Sequence, residues 1–359
     1  MNIVELLNQL NFTTLFLIFI VSKLFIETYL KTRNIKSINE NKEKIPERFT
    51  DVVTDEEYKK SINYNIERIR FSILTSVFGV GVLLFFTIGG MLNNLTIFVQ
   101  AITASNILGA ILLGLLLIVI GEIIEIPLAV YSTFYIEEKY GFNKTTTKTF
   151  VTDLFKNLLI QSIFSSILYA IVISIIENLG NNWWIFAFVA VFLLQLVIFY
   201  IYPVLILPLF NKFEPLEDEK FKEPIERLLK KIKFKAKGLF VMDGSLRSSH
   251  GNAFFTGFGS NKRIVFYDTL LETITPDEME SILGHELGHY KLGHIKKTLI
   301  SSIFFGFTGF YILGQVFQSE NFFYGHGLDE LTVYSKFLLF YLVVGSYTFF
   351  TKPITSFIS

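Results

Sequence analysis

The chain has no cysteine among its 359 residues. That excludes disulfide bridges, a cysteine nucleophile and thiolate metal ligands, and leaves the compartment undecided by redox chemistry. Charge is also scarce: only 18% of residues are charged, against about a quarter in ordinary globular chains. The 32 basic and 32 acidic residues cancel, so no cationic excess suggests a nucleic-acid surface. No internal repeat or low-complexity tract is present. What the chain has in abundance is apolar. With 51% hydrophobic residues, 40 phenylalanines and a mean hydropathy of +0.49, it reads as an α-helical polytopic membrane protein.

Apolar runs near the length needed to cross a bilayer cover residues 12–30, 71–90, 107–134, 158–177, 183–202, 298–316 and 334–357, about seven spans. The first contains Lys23 and Glu27, lacks a basic n-region and has no convincing small-residue cleavage site, so it reads as a retained helix rather than a signal peptide. Lys and Arg accumulate on the cytoplasmic side of membranes. Residues 31–70, 135–157 and 203–297 hold ten, four and fifteen of them, whereas 1–11, 91–106, 178–182 and 317–333 hold none. The expected orientation therefore has the N-terminus outside and the segment 203–297 in the cytosol. Three regions follow: an N-terminal membrane region over 1–202, an inserted domain over 203–297, and two C-terminal spans over 298–359.

The chemistry lies in His285-Glu286-Leu287-Gly288-His289. Residues four apart share a helix face, so His285 and His289 can present two imidazoles to one metal ion. Glu286, rotated by roughly 100° from His285, is badly placed as a ligand but can reach water at the ion, the place of a general base. This is the pattern of a zinc peptidase with one Zn2+ per chain. It requires a helix, and Thr275-Pro276-Asp277-Glu278 supplies one: an N-cap threonine, proline at the first helical position and a glutamate to close a capping box. Two solvated histidines on a helix surface are the plainer alternative. His294, nine residues after His285, falls half a turn away unless Gly293 breaks the helix, and reads as a supporting or surface histidine.

Around the motif, Glu217 to Lys235 reads as an amphipathic helix with Phe221, Ile225, Leu228, Leu229 and Ile232 on one face. Gly238 to Met242 and Arg263 to Tyr267 read as short strands, with Asn252, Ala253, Phe254 and Phe255 as a third. This small α+β domain would offer an edge strand to which an extended substrate peptide could add; an ordinary hairpin is the alternative. Glu122 and Glu125 sit inside the third span. Ionisable groups at that depth face a hydrated cavity or another helix. Trp183 and Trp184 read as interfacial belt residues.

Beyond the zinc motif, the chain resembles the integral-membrane type I CAAX prenyl proteases, the a-factor-converting family of zinc endopeptidases. The resemblance is carried by Val241 to Ser245, by Arg247-Ser248-Ser249-His250-Gly251-Asn252-Ala253-Phe254-Phe255-Thr256-Gly257, by Asn261 to Leu271 and by Pro276-Asp277-Glu278 into His285 to His294. Upstream it takes in Tyr131 to Phe134, Ile136 to Lys144 and the stretch Lys59 to Gly90. It covers about Glu47 to the end. It implies seven helices forming a chamber capped by the zinc domain, with His285 and His289 as ligands, Glu286 as base and substrate laid along the strand near Asn252. It also implies substrates that are isoprenylated proteins cut at a C-terminal Cys-a-a-X motif, or a role in membrane-protein quality control in prokaryotic members. The implied location is the plasma membrane of a prokaryote or the endoplasmic reticulum of a eukaryote. The family's third ligand is a glutamate soon after the seventh span, and Ser359 falls where that segment is expected, so the reading expects a chain truncated there.

Two other functions compete at this point. A catalytically silent or truncated membrane protein could bind hydrophobic peptides without cleaving them. A transporter could use the in-membrane acids, although no inverted repeat supports one.

Overall fold

The computed structural model describes residues 3–43, 45–232, 234, 237–256 and 262–358. In chain order the elements are α1 (Ile3–Asn41), α2 (Asp55–Phe86), α3 (Met91–Ile102), α4 (Asn106–Tyr131), α5 (Thr147–Asn178), α6 (Trp183–Ile201), α7 (Leu207–Phe210), β1 (Phe213–Pro215), α8 (Glu219–Lys231), β2 (Gly238–Met242), β3 (Ala253–Thr256), β4 (Arg263–Tyr267), α9 (Asp268–Thr273), α10 (Pro276–Lys291), α11 (His294–Val316), α12 (Glu320–Gly325), α13 (Val333–Thr348) and α14 (Lys352–Ile358).

Among the described residues, seven helical stretches are long and apolar enough to cross a membrane: Asn11–Asn41, Asp55–Phe86, Asn106–Glu137, Thr147–Asn178, Gly180–Phe210, Lys296–Val316 and Val333–Phe357. They lie on the apolar runs read from the sequence but extend past several of them. Backbone hydrogen bonds do not need apolar side chains, so α1 continues through a polar tail to Asn41. The fifth stretch continues past residue 202 through a widened π-turn, Tyr202–Ile206, into α7. Pro203 there has no N–H to give to a regular α-turn.

The chain divides into two compact units, one of Met1–Ile136, Gln161–Phe188 and Thr308–Phe357, the other of Glu137–Ile160, Val189–Phe307 and Ile358–Ser359. In the first unit α1 packs on α2, α12 and α13, and α4 packs on α13. Gly114 of α4 receives the ring of Tyr169, with which any Cβ would collide. Trp183 and Trp184, at the start of the fifth stretch, both pack against protein. Trp183 is buried edge-on against Phe317, and Trp184 packs on Tyr311 and into the space left by Gly314. The two in-span acids separate: Glu122 accepts a hydrogen bond from Gln161 Nε2 at 3.1 Å, while Glu125 lines a cleft.

His326 follows α12, outside the spans, and is 0% exposed. Its Nδ1 lies 2.6 Å from the Phe322 carbonyl, which can only accept, so Nδ1 carries the proton and Nε2 accepts from the Tyr347 hydroxyl at 2.8 Å. Phe16 and Phe322 flank the ring, with centroids at 4.5 and 4.2 Å. Burial pulls its pKa down from 6.5 to about 4. The fold therefore holds His326 neutral. The stability tied to that form is complete above pH 6.5 and is lost as the pH falls from 6.5 toward about 4, by about 3 kcal/mol at most. Thermal unfolding in nanodiscs at pH 7.5 and 4.5 should show this acid loss, and His326→Leu should flatten it even if its melting temperature is lower at both pH values.

In the second unit the sheet order is β1-β2-β4-β3. The central pair β2 and β4 is parallel, with Val241 opposite Phe266, and the outer strands run antiparallel to their neighbours. Ile264 and Phe266 of β4 meet Ile225 and Leu229 of α8 and Met279, Leu283 and Leu287 of α10 in one buried cluster. The amphipathic face read from the sequence is the packed face of α8, apart from Ile232, which follows the helix and is 37% exposed. Strand β1, three residues ending in proline, had no readable signal.

Candidate active site

Helix α10 starts where its cap dictates. Thr275 N–H and hydroxyl donate to Glu278 Oε2 at 2.8 and 2.9 Å, and Glu278 N–H donates back to Thr275 Oγ1 at 3.3 Å. These bonds lower the Glu278 pKa from its ordinary 4.5. The cap is thus fully formed above pH 4.5 and weakens as pH falls below it. Thr275→Ala should cost about 1 kcal/mol at the helix start, read as faster amide exchange over the first turn of α10.

Met279, Leu283 and Leu287, spaced by four, turn one face of α10 into the core. The histidines therefore take another face. His285 is exposed, and a Cβ added at Gly284 or Gly288 would meet no atom within 4 Å, so that flank is open. His285, Glu286 and His289 all lie within the single helix Pro276–Lys291; the side chains of Glu286 and His289 fall outside the described residues. Two histidine positions one turn apart, in a chain without thiols, supply nitrogen donors of the kind a zinc or similar divalent ion takes, and Glu286, about 100° round the helix from His285, is left for water rather than for the ion. The helix then breaks: Gly293 adopts φ +70°, open to glycine, and half-buried His294 begins α11.

β3 packs against α10 and is the last strand of its sheet, so its outer edge pairs with no strand among the described residues. Ala253 and Phe255 turn inward onto the core cluster, while Phe254 meets Tyr267 edge-on at 6.2 Å. Asn252 is exposed; its carbonyl accepts from Tyr267 N–H at 2.9 Å and its Oδ1 accepts from Ala253 N–H at 2.9 Å. What this segment can offer a ligand is its backbone edge and the outer residues, rather than all four side chains.

Arg247 anchors the segment that precedes β3, and its partner Asp153 lies in no sequence motif. Arg247 forms a two-pronged ion pair with Asp153 of α5, Nε to Oδ2 at 2.7 Å and Nη2 to Oδ1 at 3.0 Å, and Nη2 also donates to the Phe210 carbonyl at 2.8 Å. Its own carbonyl accepts from Lys144 N–H and the Thr145 hydroxyl. Asp268 accepts from Ser245 N–H, Thr269 N–H and the Ser245 hydroxyl, and Thr269 donates to the His250 carbonyl. The His250 ring stacks on Phe142 with centroids 4.3 Å apart, and its Nε2 lies 3.5 Å from Glu137 Oε2. The turn leading into β3 is thus tied to α5 and α7 on one side and to α9 on the other. A salt bridge spanning 94 positions leaves no local signal in a sequence.

The family described as "CAAX prenyl protease N-terminal, five membrane helices" matches residues 34–212, and peptidase family M48 matches residues 215–358. CAAX prenyl protease 1 of Saccharomyces cerevisiae is 33% identical over 88% of this chain and 72% of its own. The Arabidopsis thaliana homologue is 34% identical over 90% and 77%. The crystal structure of S. mikatae Ste24p superposes with a TM-score of 0.87 at 30% identity, covering 97% of this chain and 84% of that one. With its seven membrane-length helices and its small sheet domain beside a His-Glu helix, the chain belongs to peptidase family M48, among the CAAX prenyl proteases, and is an integral-membrane metalloendopeptidase.

Proposed function

We propose that this enzyme uses one zinc ion, held by His285 and His289, to cleave isoprenylated proteins near a C-terminal Cys-a-a-X sequence, with Glu286 as the general base. The observation that carries this reading is the capped helix α10, with its core face buried and its histidine flank open, lying beside the unpaired edge of β3. When bound, the ion supplies Lewis acidity toward the peptide carbonyl and acidity toward water. Glu286 takes a proton from the attacking water and passes it to the leaving amine. The edge of β3, from Asn252 through Ala253 and Phe254 to Phe255, aligns an extended peptide by backbone hydrogen bonds, with side-chain selection left to the outward positions.

The peptidase domain in this reading is the segment 203–297, inserted between the spans of 1–202 and those of 298–359. The distribution of Lys and Arg supports a cytosolic peptidase domain and an N-terminus outside, in the endoplasmic reticulum of a eukaryote or the plasma membrane of a prokaryote. The test is hydrolysis of an S-farnesyl peptide ending in Cys-a-a-X by purified protein in nanodiscs, followed by mass spectrometry. Release of the C-terminal tripeptide, its loss with a chelator and its return with zinc are expected. Cleavage that survives chelation would remove the metal from the reading.

A further inference from the structure

We propose that the groove between α8 and the β1–β2 side of the small sheet holds the headgroup of an anionic phospholipid from the surrounding bilayer. The groove encloses about 900 Å³, within the roughly 300–1,000 Å³ of small-ligand sites. It lies wholly in the unit that carries the sheet. Its floor is apolar: Leu216, Leu229 and Phe234 are buried, with Leu239 and Phe240 of β2 half-buried beside them. Its rim is charged. Lys222 and Lys230 of α8 and Lys237, one residue before β2, line it together with Glu217 and Glu226. Two further cations lie against its aromatic residues: Lys262 Nζ is 5.0 Å from the Phe234 ring centroid, and the Arg263 guanidinium is 5.2 Å from that of Phe240.

The acids do not cancel these cations evenly. Lys222 pairs with Glu219 at 3.1 Å, and this bond, with Glu226 and Glu217 nearby, raises its pKa above the ordinary 10.5. By contrast, the ammonium groups of Lys230 and Lys237 have no hydrogen-bond or ion-pair partner among the described residues. Five of the eight residues from Lys230 to Lys237 are lysine, a density that no other stretch of the chain reaches. The bias of Lys and Arg toward one side of a membrane asks for basic residues somewhere in a loop, not around one groove. Ammonium groups above an apolar floor suit a ligand with a phosphate at one end and hydrocarbon at the other. Position in the chain selects the bilayer as its source. The fifth membrane stretch ends at Phe210, and Pro215, the first residue lining the groove, follows five residues later, so it lies within about 18 Å of that end even along an extended chain. A headgroup in the same bilayer is held at high effective concentration, so a modest attraction by each lysine is enough.

The test is photolabelling in phosphatidylcholine nanodiscs that contain a phosphatidylglycerol bearing a diazirine on its headgroup. Irradiation should label the segment 215–240, read by peptide mass spectrometry. Excess phosphatidylglycerol should suppress the label, and excess phosphatidylcholine should not. Lys230→Gln/Lys237→Gln should reduce it on the order of tenfold. Lys36→Gln/Lys42→Gln, an equal change of charge at two exposed lysines elsewhere, should leave it intact, and so should Lys230→Arg/Lys237→Arg, which keeps the charge. Absence of label in the segment, equal losses in the two glutamine variants, or loss in the arginine variant overturns the proposal. Suppression by soluble glycerol phosphate as effective as by the lipid would give the groove to a free phosphate instead. Suppression by an acidic peptide and not by the lipid would give it to a protein partner, and either result overturns the lipid assignment.

Discussion

Glu286→Gln should lower peptide hydrolysis on the order of a thousandfold while leaving bound zinc at the wild-type level. Glutamine matches glutamate in shape but cannot accept the proton of the attacking water, so the loss falls on kcat. Folding should not suffer, because the residues that anchor α10 are Met279, Leu283 and Leu287, and the Thr275–Glu278 cap is untouched. A coupled peptide assay with parallel elemental analysis checks both halves. A variant that lost metal along with activity would make Glu286 a ligand rather than a base.

The second large effect is expected at a distance from the histidines. Asp153→Ala leaves the Arg247 guanidinium, whose side chain is 26% exposed, without its carboxylate, and its Nη1 is already buried with no partner among the described residues. Breaking one side of such a pair costs about 3 kcal/mol, read as a lower midpoint of unfolding in detergent. Arg247→Met should cost about as much, and the double variant less than either, because the stranded charge is then gone. Activity should fall in the single variants as well, since Arg247 ends the turn that feeds β3. Additive losses in the double variant would mean that the two residues act independently.

The parts of this molecule that could be read from sequence are those governed by local periodicity. Seven apolar runs announce seven crossings because a bilayer demands about 20 residues of helix, and the start of α10 is written in four consecutive residues, Thr275 to Glu278. The histidine pair is legible because its spacing is that of one helix turn. The rest depends on partners far away in the chain. Arg247 needs Asp153, and His326 needs Phe16 and Tyr347. Trp183 and Trp184 meet Phe317 and Tyr311, more than a hundred positions away. Ala253 and Phe255 look like candidate substrate contacts in sequence, but they pack on the core cluster because strand alternation sends them inward.

The most direct test is the metal content of purified protein, wild type beside His285→Ala and His289→Ala, by elemental analysis after gel filtration. One zinc per wild-type chain and a loss of stoichiometric metal in either histidine variant are the predicted results. A wild-type protein without stoichiometric metal, or histidine variants that keep it, would contradict the assignment of α10 as the helix that holds the catalytic ion.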